Sequence, residues 1–114
     1  MQRVPKSTAT GQLNVSGSET TILTVDANTK DTVSALTFTN THTSTTTVTV
    51  HNVPSGGSVT AANMVVPTRT LAVGEAWICT PIVGQSFGAG ATLKAFADIN
   101  AKVNFTISAY ATTI

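Results

Sequence analysis

The chain has 114 residues, with six Lys and Arg set against five Asp and Glu and charged side chains at only 10% of positions. That length holds one domain, which buries roughly two-thirds of the surface its unfolded form exposes. The scattered cations Arg3, Lys6, Lys30, Arg69, Lys94 and Lys102 argue against nucleic-acid binding, which needs a basic face to neutralise phosphates.

The lone Cys79 allows no internal disulfide and leaves the redox compartment open. No apolar run approaches the roughly 20 residues that span a bilayer, so no membrane partner is expected. Met1-Gln2-Arg3-Val4-Pro5-Lys6 carries charge without an apolar stretch behind it, so the expectation is a protein with no signal peptide, made in a cytoplasm. Threonine occupies about one position in five. Its β-branched side chain suits a pleated, half-exposed surface better than a helix.

Residues 1–10 lack a strand pattern and precede Gly11, which predicts an extended N-terminal arm ahead of a domain over residues 11–114. Weak strand patterns follow at residues 12–15 and 20–25, then a polar link over residues 26–31. Thr32-Val33-Ser34-Ala35-Leu36-Thr37-Phe38-Thr39-Asn40 places Leu36 and Phe38 on one face and Thr37 and Thr39 on the other. Asn40-Thr41-His42-Thr43-Ser44 reads as a hairpin loop. Residues 45–53 then alternate again, with Val48 and Val50 inward and Thr47, Thr49 and His51 outward.

Pro54-Ser55-Gly56-Gly57-Ser58 is a turn, residues 63–66 a weak strand and Val73-Gly74-Glu75 a tight turn. Weak strands at 75–82 and 92–97 flank the glycine-rich stretch 84–90. The clearest strand spans 102–110, where Val103, Phe105, Ile107 and Ala109 alternate with polar residues. No window shows helical periodicity with a cap and a stop. The prediction is an all-β single domain, a β-sandwich or jelly roll of seven to eight short antiparallel strands.

Candidate chemistry is sparse. His42 and His51 lie nine residues apart and no close-spaced ligand pair anchors a metal, so they read as surface histidines. Glu19, Asp26, Asp31, Glu75 and Asp98 fall mainly at turns or strand ends, where Asp26, Asp31 and Asp98 serve as turn formers. Gly84-Gln85-Ser86-Phe87-Gly88 spells a nucleophile elbow without the buried strand before it or the helix after it. Cys79, in the apolar run Ala76-Trp77-Ile78-Cys79, reads as a buried small hydrophobe. Trp77 suits either the core or an interface anchor. Phe87 suits either an exposed contact or a plug at the sandwich end. No catalytic residue, metal or cofactor is expected, and Arg3, Val4, Lys6 and Phe87 are the candidate partner interface.

The order of patterns also resembles a loose family of small bacteriophage virion proteins of structural, decoration or head-stabilising type. The residues that carry it are Ser18-Glu19-Thr20-Thr21-Ile22-Leu23-Thr24-Val25, Val33-Ser34-Ala35-Leu36-Thr37-Phe38-Thr39-Asn40-Thr41 and Val48-Thr49-Val50-His51. Leu71-Ala72-Val73-Gly74-Glu75-Ala76-Trp77, Gly90-Ala91-Thr92-Leu93-Lys94-Ala95 and Val103-Asn104-Phe105-Thr106-Ile107-Ser108-Ala109-Tyr110 complete it. The resemblance implies a non-enzymatic capsid decoration or cement protein in the virion. Its partner would be the major capsid protein or another virion protein, and it would act as a dimer or trimer. The alternative it leaves is a tail, fibre or baseplate module that binds a host receptor or glycan.

Overall fold

Apolar residues at every second position bury one face of an extended chain and leave the other to solvent or to a second layer. In the computed structural model, which describes residues 3–6 and 8–113 without the Arg3 side chain, this pattern builds strands. They are β1 (Arg3–Pro5), β2 (Ala9–Gln12), β3 (Thr20–Thr24), β4 (Thr29–Asn40), β5 (Thr46–Val53), β6 (Met64–Leu71), β7 (Ala76–Ile78), β8 (Ser86–Phe87), β9 (Thr92–Ala97) and β10 (Val103–Thr113). The one helical element among the described residues is a 3-10 turn at Ala61–Asn63.

The strands form two antiparallel sheets. In the first, β10 pairs with β4, β1 and β2 run along the free edge of β10, and β7 and β8 along the free edge of β4. The second has the order β3-β9-β5-β6. One apolar cluster joins them, with Val33, Leu36, Phe38 and Val103 of the first sheet and Val48, Val50, Leu71 and Leu93 of the second all buried. The arrangement is all-β and consistent with a β-sandwich.

Among the described residues ten strands stand where seven to eight were predicted. The two with no predicted counterpart, β1 and β8, have three and two residues, too few for alternation to register, while β7 is a three-residue part of the strand predicted over 75–82. The extended arm predicted over residues 1–10, of which 1, 2 and 7 lie outside the described residues, runs along the edge of the first sheet. Residues 3–5 pair with 110–112 of β10 and residues 9–12 with 104–107, while Lys6 N donates to Ala109 O at 2.9 Å. An edge strand held by main-chain hydrogen bonds needs no core-facing side chains, so its sequence shows no pattern.

Two bulges preserve the core where strict alternation would lose it. Ser108 faces Ala35 while Ala109 faces Val33. Ser34 is therefore an extra residue in β4, and both Val33 and Leu36 stay buried. In β3 the register skips Ile22, which lets Ile22 and Leu23 both bury. Each bulge inserts one residue and so resets which face later side chains take.

Residues 40–44 do not close a hairpin. β4 and β5 belong to different sheets, so the segment is an arch across the core. Asn40 secures it. Its buried Nδ2 donates to Ser44 O, Leu71 O and Ala72 O at 3.0–3.2 Å, and its Oδ1 accepts from His42 N at 2.8 Å. The Ala72–Glu75 turn, between β6 and β7, also joins the two sheets. Gly74 there has φ 75°, a left-handed conformation that favours glycine.

Gly11 has a different reason. It faces Phe105 across the β2–β10 pair, and a Cβ on it would lie 2.8 Å from Phe105 Cε2. The absent side chain makes room for a buried ring. Gly11→Ala should therefore cost about 1–3 kcal/mol through overpacking, read as a melting temperature several degrees lower with an unchanged far-UV circular dichroism spectrum.

Candidate interaction surface

The four residues predicted to form an interface separate in the structure. Val4 faces Ala111 on β10 and is 48% exposed. Arg3 stands opposite Thr112. Phe87, in register with Asp31 on β4, is only 3% exposed. It belongs to the core cluster and is a plug rather than an exposed contact.

Lys6 is likewise drawn into the fold. Its Nζ lies 2.7 Å from Asp31 Oδ2 and donates to Thr24 O at 3.1 Å. Asp31, predicted as a turn former in a polar link, is instead a fully buried residue of β4. Its parity with Val33 is the sequence signal that it faces inward. The ammonium therefore ties three parts together: the N-terminal edge of the first sheet, the inside of β4 and the end of β3 in the second sheet.

On the other side of the molecule, Arg69 of β6 stacks over Trp77 of β7 at 4.9 Å and lies 3.5 Å from Glu75. Trp77 in turn stacks on Phe38 with centroids 6.2 Å apart. The half-buried indole thus closes the seam between β6 and β7. A cation over an aromatic face is attracted by the ring quadrupole.

The remaining reactive groups are used structurally and apart from one another. His51 was predicted to point outward to solvent, yet it is 2% exposed. Its Nδ1 is 2.8 Å from Asn63 Oδ1 and its ring stacks on Phe96. Asn63 also donates to Ser58 O and accepts from Thr60 N, so its oxygen faces the histidine and Nδ1 carries the proton. The stretch between β5 and β6 thereby covers part of the outer face of the second sheet, an arrangement that a period-2 reading cannot reveal.

His42 sits in the arch at the opposite end of β5. Ser86 Oγ lies 3.2 Å from Thr32 Oγ1. Glu19 accepts from Gly17 N, Asp98 from Thr47 N and Glu75 from Ala72 N. Among the described residues no three His, Cys, Asp or Glu side chains come together as a metal site, and no helix is long and apolar enough to cross a membrane.

The sheet edges are poor docking sites. Unpaired strand edges invite pairing with another chain unless they are interrupted, bulged or capped by proline or charge. The β1–β2 edge breaks around Lys6. Because Lys6 N points to β10, the alternating pattern turns Pro5, which has no N–H, towards solvent. The β7–β8 edge is interrupted by the turn containing Pro81, with Ile82 and Cys79 buried. β6 carries two register shifts and Pro67. β3 is bulged and has Lys6 on Thr24 O.

The broad surface left open is the outer face of the first sheet. Its rows are set by register. Ile78, Thr37, Thr106 and Thr10 lie side by side across four strands, and Ala76, Thr39, Asn104 and Gln12 form the adjacent row. Local bonds order the array: Gln12 Nε2 donates to Asn104 Oδ1 at 3.1 Å, and Thr8 and Ser108 share a hydrogen bond of the same length. Neither row contains a charge. Ile78, at the β7 end, is 58% exposed. The sequence reading missed this surface because the rows join residues distant along the chain.

Two outcomes test these assignments. Lys6→Ala leaves a buried carboxylate without its cation, whose Oδ1 already lacks a partner. Stability should fall by about 3 kcal/mol, and Asp31→Leu in a Lys6→Met background should recover much of the loss in urea titration. Burial pushes the Cys79 thiol up to about 11, against the opposing Ile82 backbone hydrogen bond. The folded chain then holds this proton more tightly than the unfolded chain. Its contribution is complete below about pH 9 and is lost as pH rises through 9 to 11. The urea midpoint should decline across that window, less so in Cys79→Ala, and a disulfide reagent at pH 8 should label Cys79 only as the protein unfolds. No protein-family model, curated protein or solved structure matches this chain.

Proposed function

We propose that this chain is a non-enzymatic virion structural protein of a bacteriophage, a β-sandwich decoration or cement protein that bridges and stabilises major capsid subunits. The observation that carries the reading is the pair of rows across the outer face of the first sheet, where hydroxyl and amide groups of four strands lie side by side without a charge. Neither row offers a charged side chain to grip an ionic ligand. Each threonine offers a methyl for burial and a hydroxyl for hydrogen bonding, the mixture found at protein–protein interfaces. The resemblance of its sequence patterns, in order and spacing, to phage virion proteins supports the same reading.

Weak contacts repeated by capsid symmetry give high avidity without one strong site. A protein that binds only the assembled shell stabilises it by mass action. Particles lacking this protein should therefore assemble but release DNA at lower temperature or under osmotic shock. Purified protein added back should restore their resistance. Particles that are equally robust yet fail to adsorb to host cells would replace the capsid reading with a receptor-binding one.

A further inference from the structure

We infer that Lys6 and Asp31 become joined in the folded chain by an isopeptide bond, formed between Lys6 Nζ and Asp31 Cγ with loss of one water. The ion pair described above is the arrangement from which the bond forms. The inference goes beyond the proposed function and holds whatever the chain binds.

The first ground is proximity. Nζ stands 2.7 Å from Oδ2, so Cγ, one carboxyl C–O bond beyond, is at most about 4 Å from the nitrogen. A small side-chain adjustment brings it to the roughly 3–3.5 Å of a near-attack geometry. Both ends are held by main chain. Lys6 N donates to Ala109 O at 2.9 Å, and Asp31 lies in register with Ala111 on one side and Phe87 on the other. Holding two reactants in this way replaces a bimolecular encounter with an intramolecular step.

The second ground is the setting of the carboxylate. Asp31 is fully buried, and its Oδ1 has no hydrogen-bond partner. A buried charge with incomplete partners is costly. Amide formation removes both charges and turns Oδ1 into a neutral carbonyl. It also leaves one N–H on the nitrogen, with Thr24 O, now 3.1 Å from Nζ, as its acceptor. The second ion pair among the described residues lacks these features. Arg69 and Glu75 lie 3.5 Å apart with side chains 46% and 31% exposed, and a guanidinium keeps its proton and its charge.

The pair supplies its own acid and base. One ammonium proton passes to Oδ2, which leaves an amine with a free electron pair. That pair forms the bond to Cγ while the carbonyl π electrons move onto Oδ1. A second proton then passes from nitrogen to the Oδ2 hydroxyl. The Cγ–Oδ2 bond breaks, water departs with its electrons, and the pair on Oδ1 restores the carbonyl. Ammonium plus carboxylate gives amide plus water, with no oxidant or co-reactant. The lysine side chain is 26% exposed, an opening through which the water leaves. The product ties positions 25 residues apart, so it restricts the unfolded chain as a disulfide does.

Intact-mass spectrometry of the purified full chain, held folded at neutral pH and then denatured, reads the bond directly. The expected mass is one water below the sequence value, allowing for removal of Met1. Fragmentation should place the loss on a branched peptide that joins Lys6 to Asp31. Asp31→Ala and Lys6→Arg should each keep the full mass of their sequences. A wild-type chain of full sequence mass overturns the inference, whether or not the variants fold. So does a water loss that persists in Lys6→Arg, which would be the mark of a cyclic imide at an aspartate instead.

Discussion

The fold turns on a carboxylate placed where water cannot reach it. Asp31 lies inside the first sheet between Ala111 of β10 and Phe87 of β8, and Lys6 supplies its counter-charge at 2.7 Å. A buried ion pair of this kind often contributes little net stability over an apolar replacement, yet removing one partner is costly. Its consequence is positional. The N-terminal strands have little side-chain burial of their own, and the pair sets their register along β10 while the same ammonium reaches across to β3.

The opposite side is closed by other chemistry. Arg69 over Trp77, and Trp77 over Phe38, cover the gap between β6 and β7 with a cation and two rings. Between these seams, the segments joining the sheets cross the core as arches. Asn40 meets the resulting polar demand with bonds to three carbonyls and one amide. Buried main-chain groups must find partners, and here one carboxamide serves two chain reversals at once.

The distribution of polar groups bears on function. Carboxylates, histidines and the thiol are held in separate structural roles, while hydroxyls and amides collect on one open face. Strand pairing produces that collection. Register aligns Thr10 with Thr106 and Thr106 with Thr37, so three ordinary positions become a row. A surface of this type is specified by neutrality and regular spacing rather than by a distinctive residue, and it suits contact with another folded surface.

The sequence by itself determined the strand class of the chain. The stretches around Leu36, Val50, Leu93 and Phe105 repeat at two residues, and that periodicity has one solution, an extended chain with a buried face. It also marked the glycine-bearing turn at Gly74. It did not determine which strands pair, because alternation is identical for a hairpin and for an arch, so residues 40–44 read as the wrong one of the two. It did not show β1 and β2, whose order comes from main-chain bonds to β10 that no side chain announces. Tertiary structure alone decided that Asp31 meets Lys6, that Phe87 is buried, that His51 is covered by Asn63 and Phe96, and that the threonines share a face. Each of these depends on contacts between residues far apart in the chain. Local periodicity carries no information about such contacts, because it records only which side of its own strand a residue occupies.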